Sequence, residues 1–120
     1  MIANTAGRRG EEIARGLLER AGYRILAMNW RSKHGELDII AEDRATLVFV
    51  EVRARADTGH GSAAETIDPR KRHRLRLLAN AYLQSTRRGV ARAARIDVIT
   101  VDLSTEPPGV RHIVSAIDGE

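Results

Sequence analysis

The stretch from Gly35 to Arg55, GELDIIAEDRATLVFVEVRAR, limits the possible folds more than any other part of the chain. It reads as two apolar strands joined by a short polar turn. Runs this rich in Ile and Val suit strands inside a sheet covered on both faces. A turn centred between Arg44 and Ala45 sets the register. Ile40 then faces Phe49, and Glu42 faces Leu47. On the other side of the pleat Leu37 meets Val52, Ile39 meets Val50 and Ala41 meets Val48. That side is apolar throughout, as a helix-covered face should be. Each strand also carries one acid where a buried strand should carry none, and this register sets Asp38 directly opposite Glu51.

Such a pairing is costly. Directly opposed residues in an antiparallel pair hold their Cβ atoms about 4.5–5.5 Å apart, and like charges there destabilise the sheet. Burying either carboxylate adds a desolvation penalty. A shared proton, neighbouring arginines, or a divalent cation held by both acids would offset it. If arginines do so, the two acids are ordinary strand residues. If a cation does so, there is chemistry to expect, because a hard ion with open positions binds phosphate and activates water.

Composition narrows the setting. A chain of 120 residues suits one domain, 1–120, that buries roughly two-thirds of its unfolded surface. It has no cysteine, which fits a reducing compartment and makes a cytoplasmic location the expectation. No apolar run approaches the ~18 residues of a membrane span, and the opening MIANTAGRRG has no apolar signal core. Basic residues outnumber acidic ones by 20 to 16, which suits a polyanionic partner. Aromatics make up only 3%, so a stacking platform for single strands is not expected.

Along the chain, residues 5 to 21 read as a helix capped by Asn4 or Thr5. Ile13, Ala14, Leu17, Leu18 and Ala21 form its apolar stripe. Glu11 lies on the border of that stripe and can lean toward the sheet, whereas Glu12 lies nearly opposite, toward solvent. Gly22 is the expected C-cap. Tyr23 to Trp30 is a first strand, and Arg31 to His34 a basic turn. After the two central strands, residues 56–66 (ADTGHGSAAET) read as a mobile loop, a flap beside the carboxylates. Asp68-Pro69 opens a second helix running to about Thr86. Its inner stripe is Leu75, Leu78, Ala79, Tyr82 and Leu83. Lys71 heads that stripe, so it needs an acidic or phosphate partner within reach. Arg70, Arg72, His73, Arg74 and Arg76 point onto its flanks and outer face. Residues 87–94 read as a basic loop, RIDVITVD (95–102) as a fourth strand, and VRHIVSAI (110–117) as a fifth, at the edge. The histidines lack zinc-ligand spacing, and no glycine-rich phosphate loop follows a strand.

Helix, three strands, helix, strand, with acids on the first helix and on strands two and three, resembles the restriction-endonuclease-like PD-(D/E)xK nucleases. The chain is more closely similar to the YraN-like family of predicted bacterial endonucleases, related to archaeal Holliday-junction resolvases. The resemblance rests on GRRGEEIA (7–14), GYRILAMNWR (22–31), GELDIIAED (35–43), LVFVEVRAR (47–55), KRHRLRLLANAYL (71–83) and RIDVITV (95–101). It implies an α/β fold of order αβββαββ, with a central mixed five-stranded sheet flanked by helices. It implies a metal-dependent endonuclease acting on DNA, branched DNA included, with a catalytically silent nucleic-acid-binding module as the alternative. By it, Glu11, Asp38 and Glu51 hold the acidic positions, and Lys71 matches a family lysine. Mg2+ or Mn2+ is expected on Asp38, Glu51 and the backbone carbonyl of Val52. Arg70, Arg72, Arg74 and Arg76 would contact nucleic acid, and a homodimer follows if the resolvase mechanism carries over. Arg53 departs from the general motif, which has Lys there. Arg stays protonated, so it can orient water or stabilise charge but cannot take a proton. The register puts Arg53 opposite Glu36.

Overall fold

The computed structural model describes residues 5–56, 67–86 and 93–117. Helix α1 spans Thr5–Arg20 and strands β1, β2 and β3 span Arg24–Ser32, Gly35–Asp43 and Thr46–Arg55. Helix α2 spans Pro69–Ser85, and strands β4 and β5 span Ala93–Asp102 and Gly109–Ile117. One sheet holds all five strands in the order β1-β2-β3-β4-β5. Its pairs are antiparallel except β3–β4. Parallel neighbours need a crossover, and α2 lies within it. This is the expected αβββαββ arrangement. The expected flap lies almost wholly outside the described residues, as does the cap residue Asn4. The first strand extends to Ser32, so the basic turn shrinks to Lys33 and His34, and Ala93 and Ala94 belong to β4 rather than to a loop.

Each helix covers one face of the sheet. Ala14 and Leu18 of α1 pack with Ile39, Ala41, Val48, Val50, Ile99 and Val101. Leu75, Leu78 and Ala79 of α2 pack with Leu37, Ile40, Leu47, Phe49, Ile96 and Val98. Strand β3 alternates cleanly between the two. Strand β2 does not. Leu37 joins the α2 side, whereas strict alternation would keep it with Ile39 and Ala41 on the α1 side. The expectation that these three share one face is therefore corrected, and the slip falls at Asp38.

Local chemistry fixes both helices. Gly22 adopts φ +96°, which only glycine takes without penalty. Its N–H donates to the Glu19 carbonyl, and the Tyr23 N–H to that of Leu18, the Schellman pattern of a helix end. Asp68 caps α2 by accepting from the Lys71 N–H at 2.9 Å, with Pro69 at the first position. No helix among the described residues is long and apolar enough to cross a membrane.

A candidate metal centre where the sheet opens

The β2–β3 ladder follows the expected register from Asp43–Thr46 to Ile39–Val50 and stops there. The expected pairs Asp38–Glu51 and Glu36–Arg53 fall beyond its end and are not ladder partners. Instead, Oδ2 of Asp38 accepts the Val52 N–H at 2.8 Å. A side chain thus takes over where a backbone carbonyl would continue the ladder. The opening lets groups from both faces converge on one place.

From α1 comes Glu11, half-buried, while Glu12 is exposed, as the helical phase requires. A side chain added at Gly10 would bring its Cβ within 2.5 Å of the Ala54 Cβ. The bare glycine therefore lets the first turns of α1 lie directly on β3 and carries Glu11 to the sheet. From β1 comes Asn29, which sequence reasoning did not single out. Its Nδ2 donates to Glu11 Oε1 at 3.1 Å and to Glu36 Oε2 at 2.6 Å. Asn29 adopts φ +53°, a conformation Asn tolerates better than most residues. The β1–β2 register sets it across from Asp38.

Carboxylate oxygens of Glu11, Glu36 and Asp38 all lie within 4.8 Å of one another. Two ligand oxygens on opposite sides of one ion stand at about twice the metal–oxygen distance, ~4.2 Å for Mg2+ and nearer 5 Å for Ca2+. The three acids therefore fit a single ion. Their donors are hard carboxylate oxygens with no His or Cys, which suits Mg2+, Mn2+ or Ca2+ over zinc. Glu36 joins this group although sequence patterning assigned it no such role, because a Glu near the start of a strand looks like an ordinary solvated residue.

Glu51 approaches from the α2 side, buried at 8% exposure. Lys71 Nζ of α2 stands 3.4 Å from its Oε2. This meets the need of a lysine heading an apolar stripe. Arg31 Nη2 lies 3.5 Å from Glu36. Arg53 runs beside Thr100 of β4. Arg70, Arg72 and Arg74 are exposed on the first turns of α2, and Arg76 is half-buried. Among the described residues, neither Glu11 nor Asp38 has an ion-pair partner at contact distance. Burial, and then the charge of Glu51, push the Asp38 carboxyl up to about 7 against an ordinary 3.8, while the Val52 N–H pulls it down.

A second acid shows what a compensated site looks like. Asp97 of β4 is fully buried. It too accepts a backbone N–H across a ladder irregularity, that of Ser115 at 2.9 Å. Unlike Asp38 among the described residues, it has a cationic partner, Arg95 Nε at 3.0 Å, and it also meets His112 Nε2 at 2.8 Å. Tyr23 and Asp43 complete the surroundings of Arg95, at 2.7 and 3.6 Å. A cross-strand bond from a backbone N–H to a carboxylate thus marks both places, and among the described residues a cation of the chain meets Asp97 but not Asp38.

The chain matches the family model described as "Uncharacterised protein family UPF0102" over residues 10–101, which include Glu11, Asn29, Glu36, Asp38, Glu51 and Lys71. It is 46% identical over 114 residues to a UPF0102 protein of Pseudomonas aeruginosa, covering 93% of this chain and 91% of the relative. A relative from Herpetosiphon aurantiacus is 44% identical over 111 residues, 88% of each chain. One from Geobacter sulfurreducens is 42% identical over 114 residues, 93% of this chain and 88% of its own. A matched model over most of the chain, and relatives aligned over nearly their full length, make this protein a member of the UPF0102 family.

Proposed function

We propose that the protein is a divalent-metal-dependent endonuclease acting on DNA. The observation that carries this reading is the convergence of Glu11, Glu36 and Asp38 within one ion's span, where the sheet opens beside Glu51. Among the described residues, four carboxylates meet there. Glu36 and Glu51 have cations of the chain beside them. Glu11 and Asp38, which have no such cation among the described residues, carry the charge that a single Mg2+ or Mn2+ would balance.

When bound, the ion would supply Lewis acidity and lower the pKa of a water molecule. Asp38 and Glu11 would hold it, with Glu36 and Glu51 at its margins and the Val52 carbonyl as a further donor. Asn29 keeps Glu11 and Glu36 side by side. Arg53 would stabilise negative charge at the scissile phosphate, since a guanidinium cannot serve as base. Among the described residues Lys71 is the amine at the site, and it would meet negative charge on the substrate.

Charge placement supports an anionic substrate. Neither helix has an acid in its first turn. Both begin at this end of the sheet, with Arg8 in one first turn and Arg70, Lys71 and Arg72 in the other. The helix dipole disfavours cations there, and a phosphate backbone would compensate them. Arg53 at the motif position favours one rival, a binder of nucleic acid without turnover.

The test is Mn2+-dependent cleavage of labelled duplex and four-way-junction DNA, with RNA in parallel. The expected result is cleavage by the wild type and none by Asp38→Asn. Binding without cleavage of any substrate would overturn the enzyme reading in favour of the rival.

A further inference from the structure

Glu51 stands apart from the other acids in one respect. Its carboxylate is held at 3.4 Å by Lys71 and is not among the three that gather within 4.8 Å. It faces α2, whereas Glu11 and Asn29 reach the opening from α1 and β1. The two members of the pair are unequally buried, with side-chain exposures of 31% for Lys71 and 10% for Glu51. The lysine is therefore the member of the pair more open to solvent. The Asp68 cap fixes the backbone of Lys71, and exposed Arg70, Arg72 and Arg74 surround it on the helix surface.

Accepting the metal reading above, we propose that Lys71 and Glu51 form a charge latch that couples phosphate binding to metal binding. With no phosphate present, the ammonium occupies Glu51 and sets a positive charge beside the ion's position. A phosphate entering along the arginines of α2 offers Lys71 an anion on its solvent side. The ammonium turns to it, and Glu51 is released toward Asp38 and the ion. Glu51 drawn toward a bound ion would in turn leave Lys71 free for phosphate. Coupling of this kind is reciprocal, so each ligand strengthens the other by the same factor. Lys71 is thus a phosphate subsite that also sets how tightly the empty protein holds metal.

The experiment is Mn2+ titration by electron paramagnetic resonance, with and without a short DNA duplex of phosphorothioate linkages. In the wild type the duplex should tighten Mn2+ binding about tenfold. Lys71→Gln should bind Mn2+ about tenfold more tightly than wild type without the duplex, and the duplex should add less than it adds in wild type. Lys71→Arg keeps the charge and should retain the coupling. Arg15→Gln removes an exposed cation one turn beyond Glu11, and it should also behave as wild type. If Lys71→Gln gains no more affinity than Arg15→Gln, or if its coupling is as large as that of wild type, the latch is overturned. If the wild type binds Mn2+ well but without coupling, the latch fails and the metal reading stands. If the wild type binds no Mn2+ under either condition, the metal reading itself fails.

Discussion

Replacing Asp38 with Asn should stabilise the metal-free protein, and the size of the effect should depend on pH. The Asp38 carboxyl rises from an ordinary 3.8 to about 7 in the folded protein, chiefly through burial and next through Glu51. In the unfolded chain it ionises near its ordinary value. Between these limits the folded state binds more protons than the unfolded state, so stability falls as pH rises through the window. At about 1.4 kcal/mol per pH unit, the full rise corresponds to about 4 kcal/mol lost by pH 8. Asn has the same shape, its Oδ1 can accept the Val52 N–H, and it never charges. The two proteins should therefore be nearly equal in stability at pH 4. The Asp38→Asn variant should then gain steadily, to as much as about 4 kcal/mol at pH 8. The assay is urea unfolding of both proteins in EDTA from pH 4 to pH 8. Titrating groups that do not interact with Asp38 cancel in the difference. Repeating it with Mn2+ at pH 8 should narrow the difference to about 1–2 kcal/mol, because an ion at a hundred times its dissociation constant adds about 2.7 kcal/mol to a protein that binds it. A variant less stable than wild type at pH 8 in EDTA, or a difference that ignores pH, would refute the reasoning.

Asp97→Asn should do the opposite. It leaves Arg95 and His112 facing a neutral group, and urea unfolding should show a loss of about 3 kcal/mol at neutral pH. Gly10→Ala places a methyl 2.5 Å from the Ala54 Cβ. It should cost about 1–3 kcal/mol in thermal unfolding and weaken Mn2+ binding, because Glu11 moves off with α1. Asn29→Ala removes the amide that spans Glu11 and Glu36, and calorimetry should show roughly tenfold weaker Mn2+ binding, within the 10–100-fold typical of lost supporting contacts. Unchanged Mn2+ affinity in that variant would mean the two acids hold their spacing without the amide.

Local patterning was enough to read the elements, their order and the central register. Apolar runs of period two and stripes of period near four recover the strands and helices, and the turn at Arg44 pairs Ile39 with Val50 as the structure does. Patterning also marked Asp38 and Glu51 as anomalies, because an acid inside an apolar strand is conspicuous. The same rule applies to Asp97 in RIDVITVD, yet that acid has the guanidinium of Arg95 beside it. A buried acid in a strand therefore signals a charge to be balanced and does not say what balances it. The answer lies in the packing. Arg95 reaches a tyrosine 72 positions away in the chain, and no local pattern encodes such a meeting. The slip at Asp38 that sends Leu37 to the α2 side, the approach of α1 allowed by Gly10, and the left-handed turn at Asn29 likewise depend on how elements pack. Periodicity is a property of one segment. The spacing of three carboxylates from a helix and a strand, braced by an amide from a second strand, is a property of their packing, and it appears only once the chain has folded.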